Sequence, residues 1–231
     1  MTSADADRVL RAATWRQALS VGAATGAYGV SFGALSVAAG LSVAQTAALS
    51  LLMFTGGSQF AFIGVLGAGG AGGAAVATAG LLGARNGLYG LQVAPMLGAR
   101  GPLRALAAHL TIDESTAVAT AQPTAATRRL GFWATGAAVY VLWNAMTLLG
   151  AVVGDALGDP RRWGLDAAAA AAFLGLLWPR LRHRDTRAVA AGAAVVAVTT
   201  TPGLPAGVPV LLAAGVAVVV GLLPRPVGGT R

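Results

Sequence analysis

Long apolar runs, separated by short polar or glycine-rich breaks, dominate the pattern of hydrophobic and polar positions in this chain. No Asp, Glu, Lys or Arg occurs between Gln17 and Ala84, whereas a single bilayer-crossing helix needs only about 20 apolar residues. The runs are continuously apolar and do not alternate between apolar and polar positions, which favours helices over strands. The pattern therefore predicts an all-α, polytopic membrane bundle of about seven or eight hydrophobic helices, some of them short or broken.

Glycine, proline and charged residues divide the chain into eight candidate segments. Their approximate bounds are 18–39, 43–66, 74–98, 101–123, 130–154, 164–179, 188–201 and 208–223. Residues 1–16 are interpreted as a cytoplasmic N-terminal tail, 17–224 as a single transmembrane transport domain and 225–231 as a C-terminal tail.

The distribution of arginines predicts the orientation of these segments. With eight crossings and a cytoplasmic N-terminus, eleven arginines lie inside and four outside, including Arg100 and Arg104 outside. If 101–123 does not cross and the N-terminus is outside, the split becomes ten against five. Because cytoplasmic loops carry the excess of positive charge, the first arrangement is favoured.

The composition supports a membrane protein and excludes several classes. Of the 231 residues, 56% are hydrophobic and 10% are charged, against about 25% charged in soluble domains. The net charge of +8 comes from arginines between apolar runs, which indicates topology and not nucleic-acid binding. The chain has no cysteine, and no spacing typical of a metal site, a cofactor site or an enzyme active site occurs.

Arg85 is isolated within an apolar segment, because uncharged sequence also continues after it as far as Arg100. A guanidinium group keeps its proton in proteins, and placing it at the bilayer centre costs about 2.5–3.5 kcal/mol on the insertion scale. It therefore needs a partner or a water-filled cavity. Two interpretations are open: an ion pair that only fixes helix packing, or a site for an anionic group such as a substrate carboxylate.

Adjacent acids at Asp113 and Glu114 lie in the least apolar segment and are candidate counter-charges. His109 precedes Asp113 by one helical turn, and Thr116 and Thr120 continue the same face. The spacing predicts one polar stripe facing the bundle interior. We assign His109, Asp113 and Glu114 to proton coupling; the alternative places this segment at the membrane surface with its acids in water.

A third candidate site is the stretch FTGGSQF, residues 54–60. Adjacent glycines weaken a helix, and a helix broken there would turn backbone groups and the side chains of Ser58 and Gln59 toward a cavity. The alternative is a seam of small residues for close helix packing. Asn144 is a similar polar candidate, whereas Gly26, Gly29 and Gly33 are interpreted as packing glycines.

In their order, these landmarks resemble the AzlC-type large subunit of bacterial branched-chain amino acid exporters. The matching stretches are YGVSFGALSVAAGLS, LLMFTGGSQFAFIGVLG, ARNGLYGLQVAP and LTIDES. The resemblance covers roughly 17–223 and is most specific over 28–116. It implies a multi-pass protein of the bacterial cytoplasmic membrane that exports valine, leucine, isoleucine and sometimes methionine with a small AzlD-type membrane partner.

Carried over residue by residue, the resemblance assigns substrate binding to Gly57, Ser58, Gln59, Arg85 and Tyr89, and we add Asn144. Two positions depart from the family pattern, which often has Asn where Gly83 stands and His where Asn86 stands. We therefore predict a transporter and not an enzyme. Three alternatives stay open: export of a different small substrate, a channel, or a membrane scaffold subunit that transports nothing.

Overall fold

The computed structural model describes residues 3–157, 162, 174–175 and 177–222. These residues form nine α-helices and one short 3-10 helix, Trp178–Arg182. In chain order the α-helices are α1 Ser3–Ala38, α2 Val43–Leu52, α3 Gly56–Gly67, α4 Gly72–Leu97, α5 Pro102–His109, α6 Asp113–Ala121, α7 Ala125–Leu157, α8 Arg184–Thr200 and α9 Val208–Leu222. The all-α prediction is confirmed for this part of the chain. Most of the predicted segment 164–179 lies outside it, as does the predicted tail 225–231.

Helices α1 and α7 run parallel in close contact and form the central pair of the bundle. A Cβ atom on Gly26 would lie 2.7 Å from the Cβ of Leu142, and one on Gly29 would lie 2.7 Å from the carbonyl oxygen of Trp143. Gly33 continues this face one turn further along. The interpretation of these three residues as packing glycines is confirmed, because only glycine permits the two backbones to approach so closely.

The chain between α1 and α4 turns back on itself and does not cross the bundle. A straight helix over 43–67 would carry Gly67 roughly 35 Å away from the end of α1. Instead, a Cβ on Gly67 would lie 3.5 Å from the Cβ of Ala39. Helices α2 and α3 therefore form a hairpin, here called hairpin 1, whose tip is residues 53–55. The predicted break in 54–60 is confirmed, but the predicted crossing by 43–66 is wrong.

A second hairpin, formed by α5 and α6, enters the bundle from the opposite end. Its tip is residues 110–112, and Leu110 contacts the position of Gly136 inside the bundle. Before α5, the Met96 carbonyl accepts a hydrogen bond from Arg129 at 3.0 Å. After α6, Gln122 accepts a hydrogen bond from Thr14 at 2.9 Å. Both arms of this hairpin 2 thus end where α1 and α7 begin, so the predicted crossing by 101–123 is also wrong.

The two hairpins give the bundle two chemically different ends. We call the end where α1 and α7 begin the near end, and the end where they finish the far end. The near end carries Arg8, Arg11, Arg16, Arg100, Arg104, Arg128 and Arg129. The far-end connections 39–42, 68–71 and 201–207 have no charged residue. Arg100 and Arg104 therefore lie at the same end as the N-terminus, contrary to the prediction from eight crossings.

The outer surface of the bundle is apolar. Leu52, Leu88, Leu91 and Val198 are each more than 60% exposed, although burying a leucine is worth about 1.5–3 kcal/mol. Two of the described helices, over Ala4–Ala38 and Ala125–Ala156, are long and apolar enough to cross a membrane. The first begins within the predicted N-terminal tail, which is helical from Ser3 onward.

The close packing of the α1 glycines against α7 leads to a stability prediction. We expect Gly33→Ala to destabilise the protein, because the new methyl group would press on the Thr147 carbonyl and lie 2.6 Å from the Ala151 nitrogen. Overpacking of this kind costs about 1–3 kcal/mol. Thermal unfolding in detergent should show a lower midpoint. Gly215→Ala, in the middle of α9, is the matched control, since nothing lies within 4 Å of that position. An unchanged midpoint for Gly33→Ala would refute the packing role.

Candidate functional site

A cavity of about 280 Å³ lies where the tips of the two hairpins meet. Its polar lining residues are Thr25, Tyr28, Thr55, Arg85, Asp113 and Glu114, and its large apolar lining residues are Phe54, Phe60, Ile112, Val139 and Trp143. Pockets for drug-sized ligands have volumes of about 300–1,000 Å³. This cavity lies just below that range, so it suits a smaller molecule, the size of an amino acid. It is mainly apolar, with charged groups concentrated on one wall.

Arg85 and Asp113 form the electrostatic centre of this wall. An Nη atom of Arg85 lies 2.8 Å from a carboxylate oxygen of Asp113, and the Tyr89 hydroxyl donates to the other oxygen at 2.7 Å. The predicted counter-charge for Arg85 is therefore Asp113. The Arg85 Nε group is buried with no partner among the described residues, so the guanidinium has hydrogen-bonding capacity left over.

The start of α3 lies directly under this guanidinium. A Cβ on Gly57 would be 2.8 Å from an Arg85 Nη atom, so the guanidinium lies close against the backbone here and a side chain at residue 57 would displace it. Thr55 precedes the helix but makes no side-chain capping bond. The first N–H groups of a helix have no partner within it and carry partial positive charge. Arg85 and the α3 terminus therefore form a site suited to an anion.

Helix α6 also begins at the cavity, but its start is already occupied by the chain's own acids. Asp113 and Glu114 are in its first turn, where the helix dipole favours negative charge. The Ser115 hydroxyl accepts a bond from the Ile112 N–H at 3.1 Å. Glu114 lines the cavity and forms no salt bridge with any described residue. It is therefore the carboxylate available to a bound cation.

Gln59, predicted to contact substrate, holds hairpin 1 together. Its amide nitrogen donates to the Met53 carbonyl at 2.7 Å and to the Ser50 carbonyl at 3.3 Å, and its oxygen accepts from the Trp143 indole at 2.9 Å. The side chain is fully buried and does not line the cavity. These bonds satisfy the carbonyls at the end of α2, so the structure favours a structural role for Gln59 over contact with substrate.

Four other predicted site residues also lie outside the cavity lining. Tyr89 is linked to the cavity through its hydrogen bond to Asp113. Ser58 is buried, with its hydroxyl 3.5 Å from that of Thr55. Asn144 donates to the Tyr140 carbonyl one helical turn away at 2.7 Å. His109 packs against the rings of Phe54 and Tyr140, which also contact each other. Because the helix breaks at 110–112, His109 does not share a helical face with Asp113, and the predicted single polar stripe is wrong.

The cavity also contains residues that the sequence analysis did not assign. Thr25 and Tyr28 from α1, and Val139 and Trp143 from α7, line it beside the charged wall. Their spacing of three and four residues places each pair on one face of its helix. Such apolar and hydroxyl side chains are common in membrane helices, and only the packing of α1 against α7 brings them together.

The Gln59–Trp143 bond leads to a second stability prediction. Trp143→Phe removes the indole donor and leaves the buried Gln59 oxygen unpaired, at a cost of about 1–3 kcal/mol. Gln59→Leu should destabilise by more, because it also frees the α2 carbonyls. We expect the double variant to be less destabilised than the sum of the two, by about 0.5–3 kcal/mol. Trp15→Phe, at a position 48% exposed, is the control, and strict additivity in thermal unfolding would contradict the coupling.

Comparisons with known proteins agree with this architecture. The sequence model of the AzlC protein family matches residues 20–157, which is more than half of the chain and includes both hairpins and the charged wall. Comparisons with curated proteins and with solved structures give no match. AzlC proteins are a family of membrane proteins known for branched-chain amino acid transport. The chain therefore belongs to the AzlC family.

Proposed function

We propose that this protein is a multi-pass secondary transporter of the bacterial cytoplasmic membrane that exports valine, leucine and isoleucine, and methionine as well. One observation carries the proposal: a single apolar cavity combines a cationic site, formed by Arg85 and the α3 terminus, with the carboxylate of Glu114. An amino acid crosses as a zwitterion, so a carrier must replace water at both of its charged ends. The remaining walls suit a branched apolar side chain.

The carboxylate of the substrate binds at Arg85 and the first N–H groups of α3. A guanidinium offers two parallel hydrogen bonds to a carboxylate, and half-helix N-termini hold anionic substrate groups in transporters with broken helices. Asp113 and Tyr89 keep the guanidinium over Gly57 before substrate arrives. Binding therefore uses groups that are already in position.

Glu114 binds the ammonium group and carries the coupling proton. The carboxylate can hold a proton or form an ion pair with the ammonium, but it cannot do both at once. Arrival of substrate thus releases a proton, and departure of substrate allows a proton to return. The charged and titratable groups that face Glu114 across the cavity are Arg85 from α4, Tyr28 from α1 and Asp113 from its own helix. This alternation produces amino acid–proton antiport.

The orientation of the bundle in the membrane is supported by the charge of the two ends. Seven arginines cluster at the near end of the described bundle. The far-end connections 39–42, 68–71 and 201–207 have no arginine, and the far end of α7 carries an acid, Asp155. Positive residues accumulate on the cytoplasmic side, so we place the near end in the cytoplasm. Hairpin 2 then enters from the cytoplasm and hairpin 1 from outside.

A small AzlD-type membrane subunit is the proposed partner. The face of α4 that supports this carries Gly73, Gly80 and Gly87, spaced by seven residues, with nothing within 4 Å of any of them. Small residues in such a row allow a second membrane helix to approach closely. No cofactor takes part in the proposed mechanism.

Counterflow in proteoliposomes tests the substrate assignment. Vesicles loaded with unlabelled valine should take up labelled leucine in a saturable way when the small subunit is co-expressed. A selectivity of less than about a hundredfold among valine, leucine and isoleucine is expected, since one methylene is worth about 1–3 kcal/mol. Labelled glutamate is the negative control. Absence of exchange with every amino acid, with and without the partner, would refute the proposal.

A further inference from the structure

A second cavity, of about 740 Å³, lies between α3 and α4 on the far-end side of the central one. The two cavities follow the same pair of antiparallel helices. The central cavity is lined by Gly57 of α3 and Arg85 of α4. The second cavity is lined by Gly64 of α3 and Thr78 of α4. Thr78 is buried, and its hydroxyl has no partner among the described residues. Thr201 also lines this cavity, and its hydroxyl donates to the Ala197 carbonyl at 2.6 Å. The rest of the described lining is apolar.

Phe60 is the side chain that the two cavities share, since it lines both. Its ring is buried and packs edge-on against Phe32 at 5.6 Å and against Trp143 at 6.2 Å between ring centroids. Beyond Phe60 on α3, the second cavity is lined by Ala61, Gly64 and Val65, all with smaller side chains. Phe60 is therefore the largest α3 side chain that borders both spaces.

The second cavity reaches the surface at the far end. Leu204, in the connection between α8 and α9, lines its rim and is 39% exposed. The same connection packs on α3, because a Cβ on Gly207 would lie 3.0 Å from a methyl group of Val65. A path thus runs from the central cavity, past Phe60, to the far-end connection 201–207, which has no charged residue.

We infer that the second cavity is an outer vestibule that binds the apolar side chain of a departing amino acid, and that Phe60 is the barrier between it and the central site. This inference rests on the proposed function for the identity of its ligand. Among the described residues, no charged side chain lines the vestibule, and the one hydroxyl of Thr78 has no partner. The vestibule therefore binds the amino acid through its apolar side chain and more weakly than the central site does.

Single-cysteine labelling tests the barrier without any substrate, because the natural chain has no cysteine. Thr78→Cys reports on the vestibule and Val139→Cys on the central cavity. With a water-soluble thiol reagent added outside, Thr78→Cys should react quickly and Val139→Cys slowly. Combining Val139→Cys with Phe60→Ala should raise its labelling rate by about tenfold or more, equivalent to about 1.4 kcal/mol of barrier.

Phe32→Ala is the matched control, because Phe32 belongs to the same ring cluster but lines neither cavity. It should leave labelling at Val139→Cys slow. An equal increase with Phe32→Ala, or none with Phe60→Ala, would overturn the barrier. If Phe60→Ala does not give a monodisperse protein, Phe60→Leu is used, with a smaller increase of about threefold expected.

The ligand of the vestibule is tested separately. Saturating leucine should slow the labelling of Thr78→Cys, whereas glutamate should not. If Thr78→Cys reacts only with a membrane-partitioning reagent, the space holds lipid and the vestibule is overturned. If counterflow shows no amino acid exchange but the Phe60 effect is present, the proposed substrate fails and the barrier stands.

Discussion

Arg85→Gln is expected to reduce leucine exchange by about 30-fold or more, the largest effect we predict for any single substitution. Losing one partner of a buried, charge-assisted pair costs about 2–5 kcal/mol. The Arg85–Asp113 pair is only partly buried, so we expect the lower part of that range, and here the lost partner binds the substrate carboxylate. Glutamine keeps a similar length and polarity but has no charge and cannot offer a guanidinium fork. Initial rates of counterflow in proteoliposomes, at matched protein content, measure the effect.

Two further variants separate a binding role from a folding role. Arg85→Gln leaves the Asp113 carboxylate with Tyr89 as its remaining hydrogen-bond partner at the site, which can itself destabilise the bundle. The charge-balanced double variant Arg85→Gln with Asp113→Asn should recover thermal stability but not transport. Arg104→Gln, at an exposed position, should transport normally. If the double variant transports at the wild-type rate, Arg85 only fixes helix packing.

Glu114→Gln is expected to abolish transport driven by a pH gradient. The amide retains shape and hydrogen bonding but cannot exchange a proton for the substrate's ammonium group. Exchange without a gradient should persist at a rate lowered by about tenfold. The ion pair between Glu114 and the substrate ammonium group is replaced by a neutral hydrogen bond, which is worth about 1–1.5 kcal/mol less. Labelled leucine movement with and without an imposed gradient measures both quantities in the same vesicles.

The conservative variant Glu114→Asp is the matched control. It keeps a carboxylate at the start of α6 and should retain a measurable response to the pH gradient. Asp7→Asn alters an exposed ion pair with Arg11 at the near end and should change neither quantity. A full gradient response in Glu114→Gln would assign proton coupling to another group.

The sequence predicts the helical class, the break near 54–60 and the pairing of Arg85 with an acid, because each depends on local residue chemistry. The order of residues alone reveals glycines that weaken a helix. It also reveals a charge that needs a partner in apolar surroundings. The family resemblance added the order of these landmarks and the transport function.

The sequence does not predict the path of the chain through the bundle. Hydropathy measures whether 43–66 and 101–123 are apolar, but a half-length hairpin is as apolar as a crossing. The decisive contacts, Gly67 with Ala39 and Gln122 with Thr14, join residues far apart in the chain. For the same reason the sequence does not reveal that the amide of Gln59 is already bonded to the Trp143 indole and to the carbonyls at the end of α2.

Substrate binding to purified protein tests the central claim most directly, because it isolates the carboxylate site from transport. Leucine and leucinamide, which lacks the carboxylate, are compared by calorimetry in the wild-type protein and in Arg85→Gln. We predict that leucinamide binds the wild type at least about 30-fold more weakly than leucine, and that Arg85→Gln weakens leucine but not leucinamide. Equal weakening of both ligands by Arg85→Gln would contradict a carboxylate site at Arg85.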